Sequence, residues 1–346
     1  METVWFCLLA WILATYVVLD GFDIGVGILH LFVAKNDAER KQVIRSIGPV
    51  WDGNEVWLIA AVGTMFLAFP KLLAVSFSGF YLALMIVLWL LVFRGLGIEL
   101  RHQLESPLWV EFWDVAFAGA SLLLAVCLGA ALGNVVRGVP LNAEGIFFEP
   151  LWTDFRVGQE TGILDWYTLL VGLTAVLALA HHGALWLSAR TDEAVEERAR
   201  HLAGTLWPLV CIASVATALI SIFVQPNVKE SLSARPWGVL FMGLAAAGLF
   251  GAHVLRRRGR AHQAFLASAA YLYGMLASAA IAVYPYVLPG RDPALGLTVQ
   301  AAAAEKGGLA IGLSWWIPGM LLACGYFIYL YRMMPAKFSV HDTPDH

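Results

Sequence analysis

Apolar stretches of about 20 residues, the length a helix needs to cross a bilayer core, recur along the chain between short polar joints. Nine of them are predicted as membrane-spanning helices: 4–33, 51–69, 72–93, 113–136, 163–188, 203–224, 237–255, 264–286 and 309–332. Polar residues interrupt the first span, and the second opens with them. Trp51, Trp113, Trp166, Trp237, Trp315 and Trp316 fall near segment ends, where an interfacial aromatic belt places them. The run Tyr284-Pro-Tyr-Val-Leu-Pro289 closes the eighth span as a proline stop.

Composition agrees with this pattern. Of 346 residues, 60% are hydrophobic and 14% charged, against roughly a quarter charged in soluble domains. Mean hydropathy is +0.73. The expected fold class is an all-α integral membrane protein, which excludes a secreted disulfide scaffold, a disordered chain and an ordinary cytosolic enzyme. The longest stretch outside the spans, 137–162, is too short for an independent core and reads as a folded-over surface loop. Residues 1–346 are therefore read as a single polytopic membrane domain. A net charge of −3 excludes a nucleic-acid partner held by a basic surface. Cys7, Cys127, Cys211 and Cys324 stand alone in apolar runs and read as small packing side chains. The opening Met-Glu-Thr-Val-Trp lacks the basic stretch of a signal peptide, so the first span is expected to be retained.

Loop charge predicts the direction of threading. With the N-terminus outside, the cytoplasmic loops are 34–50, 94–112, 189–202, 256–263 and the C-terminal tail, and they carry 15 of the 22 Lys and Arg residues. The other face carries seven. The positive-inside rule then gives N-terminus out and C-terminus in.

Charges inside a bilayer are costly and mark the places where chemistry could reside. One cluster is Asp20-Gly-Phe-Asp23-Ile-Gly-Val-Gly27; another is Trp51-Asp52-Gly-Asn54-Glu55-Val-Trp57. In each, two carboxylates lie three residues apart and share a helix face. Gly21 and Gly25 allow a neighbouring backbone to come close. Both clusters fall in the cytoplasmic half, where four carboxylates would face one another. Such acids suit a proton entry site; the alternative is capping and helix–helix hydrogen bonding. Asp23 and Asp52, flanked by glycine or aromatic residues, are the stronger candidates, with Asp20 and Glu55 as neighbours. Arg94 and Arg101 close the third span and either pair with these acids or snorkel to the headgroups.

His181 and His182 lie within the fifth span, and His30 and His253 near the ends of others. Facing histidines can ligate a b-type haem, but neighbours on a helix point about 100° apart. Nothing fixes a pair, and hydrogen-bonded core histidines are the expectation. Asn134 could cap the fourth span, and neither it nor Arg137 suggests chemistry. Walker A, HExxH and GxGxxG motifs are absent from the sequence, leaving hydrolase and nucleotide-driven pump readings without support.

Taken in order, the two acidic motifs, Phe77-Ser-Gly-Phe-Tyr81, Phe93-Arg-Gly-Leu-Gly97, Leu132-Gly-Asn-Val-Val-Arg-Gly-Val-Pro140, His182-Gly-Ala184 and Tyr284-Pro-Tyr-Val-Leu-Pro289 resemble subunit II of the cytochrome bd-type quinol oxidases, cyanide-insensitive members included. The resemblance covers almost the whole chain. It implies two four-helix bundles, within about 4–136 and 163–286, plus a peripheral helix near 309–332. It also implies a heterodimer with a subunit I that carries three haems (two b-type and one d- or b-type) and oxidises quinol while oxygen is reduced. The second subunit would bind no haem and would sit in the bacterial cytoplasmic membrane. In some members it holds a structural quinone, and a small third subunit is left open. Motif for motif, Asp23 and Asp52 would serve a proton path to the oxygen-reducing haem. Two other readings use the same features: a proton-coupled transporter, disfavoured because paired broken helices in two halves are missing, and a self-sufficient cytochrome.

Overall fold

The computed structural model describes residues 1–158 and 161–341. Helices dominate: α1 (Glu2–Val33), α2 (Asp37–Arg45), α3 (Trp51–Ala68), α4 (Pro70–Gly79), α5 (Tyr81–Leu100), α6 (Pro107–Arg137), α7 (Trp166–Arg190), α8 (Glu193–Val224), α9 (Pro226–Ala234), α10 (Val239–Arg257), α11 (Ala261–Val283), α12 (Val299–Ala302) and α13 (Lys306–Met333). Two short antiparallel strands, β1 (Tyr286–Leu288) and β2 (Leu297–Thr298), follow the proline stop. Eight helices among the described residues are long and apolar enough to cross a membrane. A ninth, α3, has 18 residues, and Asp52, Asn54 and Glu55 near its start lower its mean hydropathy.

Local chemistry sets the helix ends. Asp165 caps α7 by accepting from the backbone N–H groups of Tyr167 and Thr168, while Thr168 closes a capping box. Pro107, Pro226 and Pro70 stand in the first turns of α6, α9 and α4, where a missing N–H costs nothing. Pro70 also corrects the sequence reading. The expected third span, 72–93, is two helices, α4 and α5, broken at Phe80. Residues 70–79 are as apolar as the start of a span, so hydropathy merged them with α5, whose true end lies at Leu100.

α1, α3, α5 and α6 form one bundle, and α7, α8, α10 and α11 the other. α1 and α6 lie against α7, and α1 also meets α11. The close approach of α1 to α7 needs glycine on both sides. A Cβ on Gly25 would run into the Leu179 carbonyl and the Gly183 amide, and one on Gly183 into the Gly25 backbone. Around this contact Phe22 stacks on Trp186 at 4.0 Å and His182 on Phe265 at 4.6 Å, so one continuous core links the bundles. α13 is peripheral, with Leu309 its one fully buried residue. Trp5 donates to the Leu309 carbonyl at one end of α13, and Tyr331 reaches inward at the other.

The long helices divide the joints between two faces. Residues near the N-terminus meet the 284–309 segment, as in the Thr3–Tyr284 contact. On the opposite face, Phe338 near the C-terminus bonds the Arg190 carbonyl and accepts from Gln42. Arg198 pairs with Glu39 there as well.

Candidate functional site

The polar residues of α1 lie between α3, α5 and α6, in the half towards the C-terminal face. Asp20 and Asp23 are both fully buried. Arg94, also fully buried, donates to Asp20 Oδ1 at 2.6 Å. Its other nitrogen lies 3.2 Å from Glu55 Oε1, close enough for an ion pair but not aligned as a hydrogen bond. Asp23 Oδ2 accepts from Asn54 Nδ2 at 2.7 Å. Asn54 Oδ1 in turn accepts from the Tyr331 hydroxyl at 2.8 Å, which fixes the amide orientation. The peripheral helix α13 thus completes a site that the first bundle builds.

Three of the four predicted carboxylates gather here. Asp52 does not: it lies one turn before Glu55 but is exposed on the outer surface of α3. Arg94 pairs with the acids instead of snorkelling. Arg101 goes elsewhere, donating to Asp114 at 2.6 Å and to Asp37 at 2.7 Å. Asp114 is a residue that sequence reasoning passed over, because a single carboxylate at the head of an apolar run resembles an interfacial cap. It is fully buried and also accepts from His30 at 2.7 Å and Arg40 at 2.9 Å. Asn54 and Tyr331 were equally silent as partners of Asp23. Only Asn54, inside the second acidic motif, carried any signal.

Arrangement and charge define what the site can do. Around Arg94 stand Asp20, Asp23 and Glu55, so the buried group holds more carboxylates than cations. Asp20 Oδ2 and Asp23 Oδ1 are buried with no hydrogen-bond partner. Carboxylates placed this way can bind and release protons away from bulk water.

Residues 1–334 match the family of cytochrome bd terminal oxidase subunit II. The chain belongs to that family. Among its relatives, the probable cytochrome oxidase subunit 2 of Haemophilus influenzae is 31% identical, over 99% of this chain and 96% of its own length. The cytochrome bd-I ubiquinol oxidase subunit 2 of Escherichia coli is 30% identical over the same shares, 99% and 96%. A solved chain of the bd oxidase from Geobacillus thermodenitrificans superposes with a TM-score of 0.76 over 96% of this chain and 98% of that one, at 21% identity. That likeness concerns the fold.

Two of the buried histidines of this subunit II hold protein partners. His182 uses both ring nitrogens, contacting Ser268 Oγ at 2.6 Å and the Val18 carbonyl at 3.1 Å. His30 Nε2 is held by Asp114. His181 is buried on the same helix, about 100° around from His182. Among the described residues no group of three His, Cys, Asp or Glu side chains could hold a metal ion.

A second buried charge cluster lies at the N-terminal face and was not foreseen, although Arg137 and Asn134 were noted. Arg137 donates to Asp165 and to Glu149, both at 2.5 Å, and to Asn134 Oδ1 at 2.7 Å. Thr161 donates to Glu149 at 2.6 Å. Burial pushes the Glu149 carboxyl above the usual range, with Arg137 opposing. The cluster ties Glu149, Thr161 and Asp165 to the end of α6. Arg137→Leu would leave two buried acids without a cation, an effect on the order of 3–5 kcal/mol. A clear fall in the thermal midpoint of the purified complex is expected; an unchanged midpoint would mean these residues are held by other contacts.

Proposed function

We propose that this chain is the haem-free second subunit of a quinol-oxidising, oxygen-reducing bd-type complex in the bacterial inner membrane. It pairs with a haem-bearing subunit I and provides part of a proton path from the cytoplasm. The observation that carries this reading is the buried network of Asp20, Asp23, Arg94, Glu55, Asn54 and Tyr331. It is polar, holds excess carboxylate, and lies in the half towards the face that bears most of the chain's Lys and Arg. By the positive-inside rule that face is cytoplasmic. Protons drawn from there to reduce oxygen would make turnover electrogenic. The exposed Asp52, beside the buried group, suits a hand-over to the partner subunit. The similarity to a ubiquinol oxidase subunit of Escherichia coli supports the choice of reaction.

Purification of the tagged chain, alone and with its native partners, tests the assignment through reduced-minus-oxidised absorption spectra. A colourless chain that brings down a haem-rich partner with quinol oxidase activity is the expected result. Haem bands on the lone chain would overturn the assignment and point to His181, the one buried histidine of α7 with a free ring nitrogen.

A further inference from the structure

Four positions on α1 line one strip of the helix. At 3.6 residues per turn, positions 20, 23, 27 and 30 fall within an arc of about 80°. Asp20 and Asp23 belong to the acid network. Gly27 replaces a side chain with space, and Ser121 of α6 occupies it: the Ser121 hydroxyl sits where a Gly27 Cβ would stand. His30 lies a further turn towards the C-terminal face. On α6, Asp114, Phe117 and Ser121 follow the same line. Asp114 holds His30, and the Phe117 ring packs edge-on to the imidazole at 5.4 Å. Beyond Asp114 the line continues through Arg101 to Asp37, whose side chain is half exposed.

Every polar residue inward of Asp114 on this strip has a buried atom without a partner: His30 Nδ1, Ser121 Oγ, Asp23 Oδ1 and Asp20 Oδ2. Buried polar groups are nearly always paired, so four orphans in a row need an explanation. The tautomer of His30 follows from its neighbours. Asp114 accepts from Arg101 on both oxygens, from Arg40 and from His30, and a carboxylate so surrounded by donors is ionised and accepts only. Nε2 therefore carries the hydrogen, and Nδ1 presents a lone pair. The charged groups facing His30 are Asp114 on α6, Arg101 just beyond the end of α5 and Arg40 on α2.

The geometry points to a proton inlet along this strip: His30, oriented by Asp114, and Ser121 pass protons by way of bound water from the C-terminal face to Asp23. This inference rests on the proton-path reading and names its entrance. His30 Nδ1 takes up a proton and becomes imidazolium, with its Nε2–H still on the Asp114 carboxylate. It then gives that proton up inward. Ser121 accepts it while releasing its own towards Asp23, so the hydroxyl is regenerated and one proton has moved. The Phe117 ring lies beside Gly27 and His30, between His30 and the acids. Asp114 and Arg101 are positioning residues here; the two shuttling groups are His30 and Ser121.

The test uses the whole oxidase complex carrying His30→Gln, Ser121→Ala or Asp23→Asn. Glutamine keeps a donor for Asp114 but cannot shuttle a proton. We expect kcat for quinol oxidation to fall fivefold or more in each variant, with quinol KM and the haem spectrum unchanged and a larger solvent deuterium isotope effect. A merely structural role would not produce that split between kcat and KM. Wild-type turnover in His30→Gln and Ser121→Ala beside a slow Asp23→Asn would overturn the inlet and leave the proton path standing. Wild-type turnover in all three would remove both. Should His30→Gln fail to assemble, Ser121→Ala alone decides, since it leaves the Asp114 contact untouched.

Discussion

Asp23→Asn is expected to slow turnover of the assembled oxidase at least tenfold while its haem spectrum stays intact. The reasoning is local. Asn54 Nδ2 needs an acceptor, and it now has Asp23 Oδ2 at 2.7 Å and the Leu19 carbonyl at 3.2 Å. An asparagine at 23 can offer its amide oxygen to the same donor with almost the same shape, so packing survives. What disappears is the exchangeable proton. A positioned group that carries protons typically contributes 10²–10⁴ in rate, and a tenfold loss corresponds to about 1.4 kcal/mol in the barrier. Oxygen consumption with saturating quinol measures it. Asp52→Asn should slow turnover as well, through the exposed end of the path. Unchanged rates in both variants would eliminate the proton path and leave these acids a packing role.

Arg94→Gln should act on stability first. The guanidinium is fully buried and sits between Asp20 and Glu55. Removing one partner of a buried ion pair costs about 3–5 kcal/mol, because the other charge remains without compensation. The expected outcome is a complex that assembles poorly and loses haem on mild heating. Combining Arg94→Gln with Asp20→Asn should recover part of the loss, since the uncompensated charge is then removed too. A single variant as stable as the wild type would show that Arg94 is not the counter-charge of Asp20.

How much of this was legible depended on the range of the interaction. Asp20 and Asp23 could be placed on one helix face from their spacing alone, and Gly25 as a point of close approach from its neighbours. Helix α13 was foreseeable as peripheral only through the family resemblance. Pairings across helices were not readable. Asn54 finds Asp23 because α1 and α3 are adjacent, and Tyr331 joins them from 277 residues away. Asp114 meets His30 across 84 positions, so each residue alone looked like a single polar interruption. Asp52 and Glu55 share a spacing but not an environment: one turn of helix carries the first outward and the second towards Arg94. Hydropathy also could not separate α4 from α5, because the break at Phe80 interrupts backbone geometry and leaves the apolar run intact.

The glycine contact between Gly25 and Gly183 has a mechanical consequence. A carrier that alternates access must rock one half against the other, and its halves need an interface that can slide. Here the two bundles touch backbone to backbone, and the Phe22–Trp186 stack beside that contact belongs to the core they share. No lubricating layer of side chains separates them at that point. Sliding one bundle past the other would have to part this contact, which a close-packed core resists. If the proposed proton path holds, the fold serves as a stator: a fixed frame past which charge would travel.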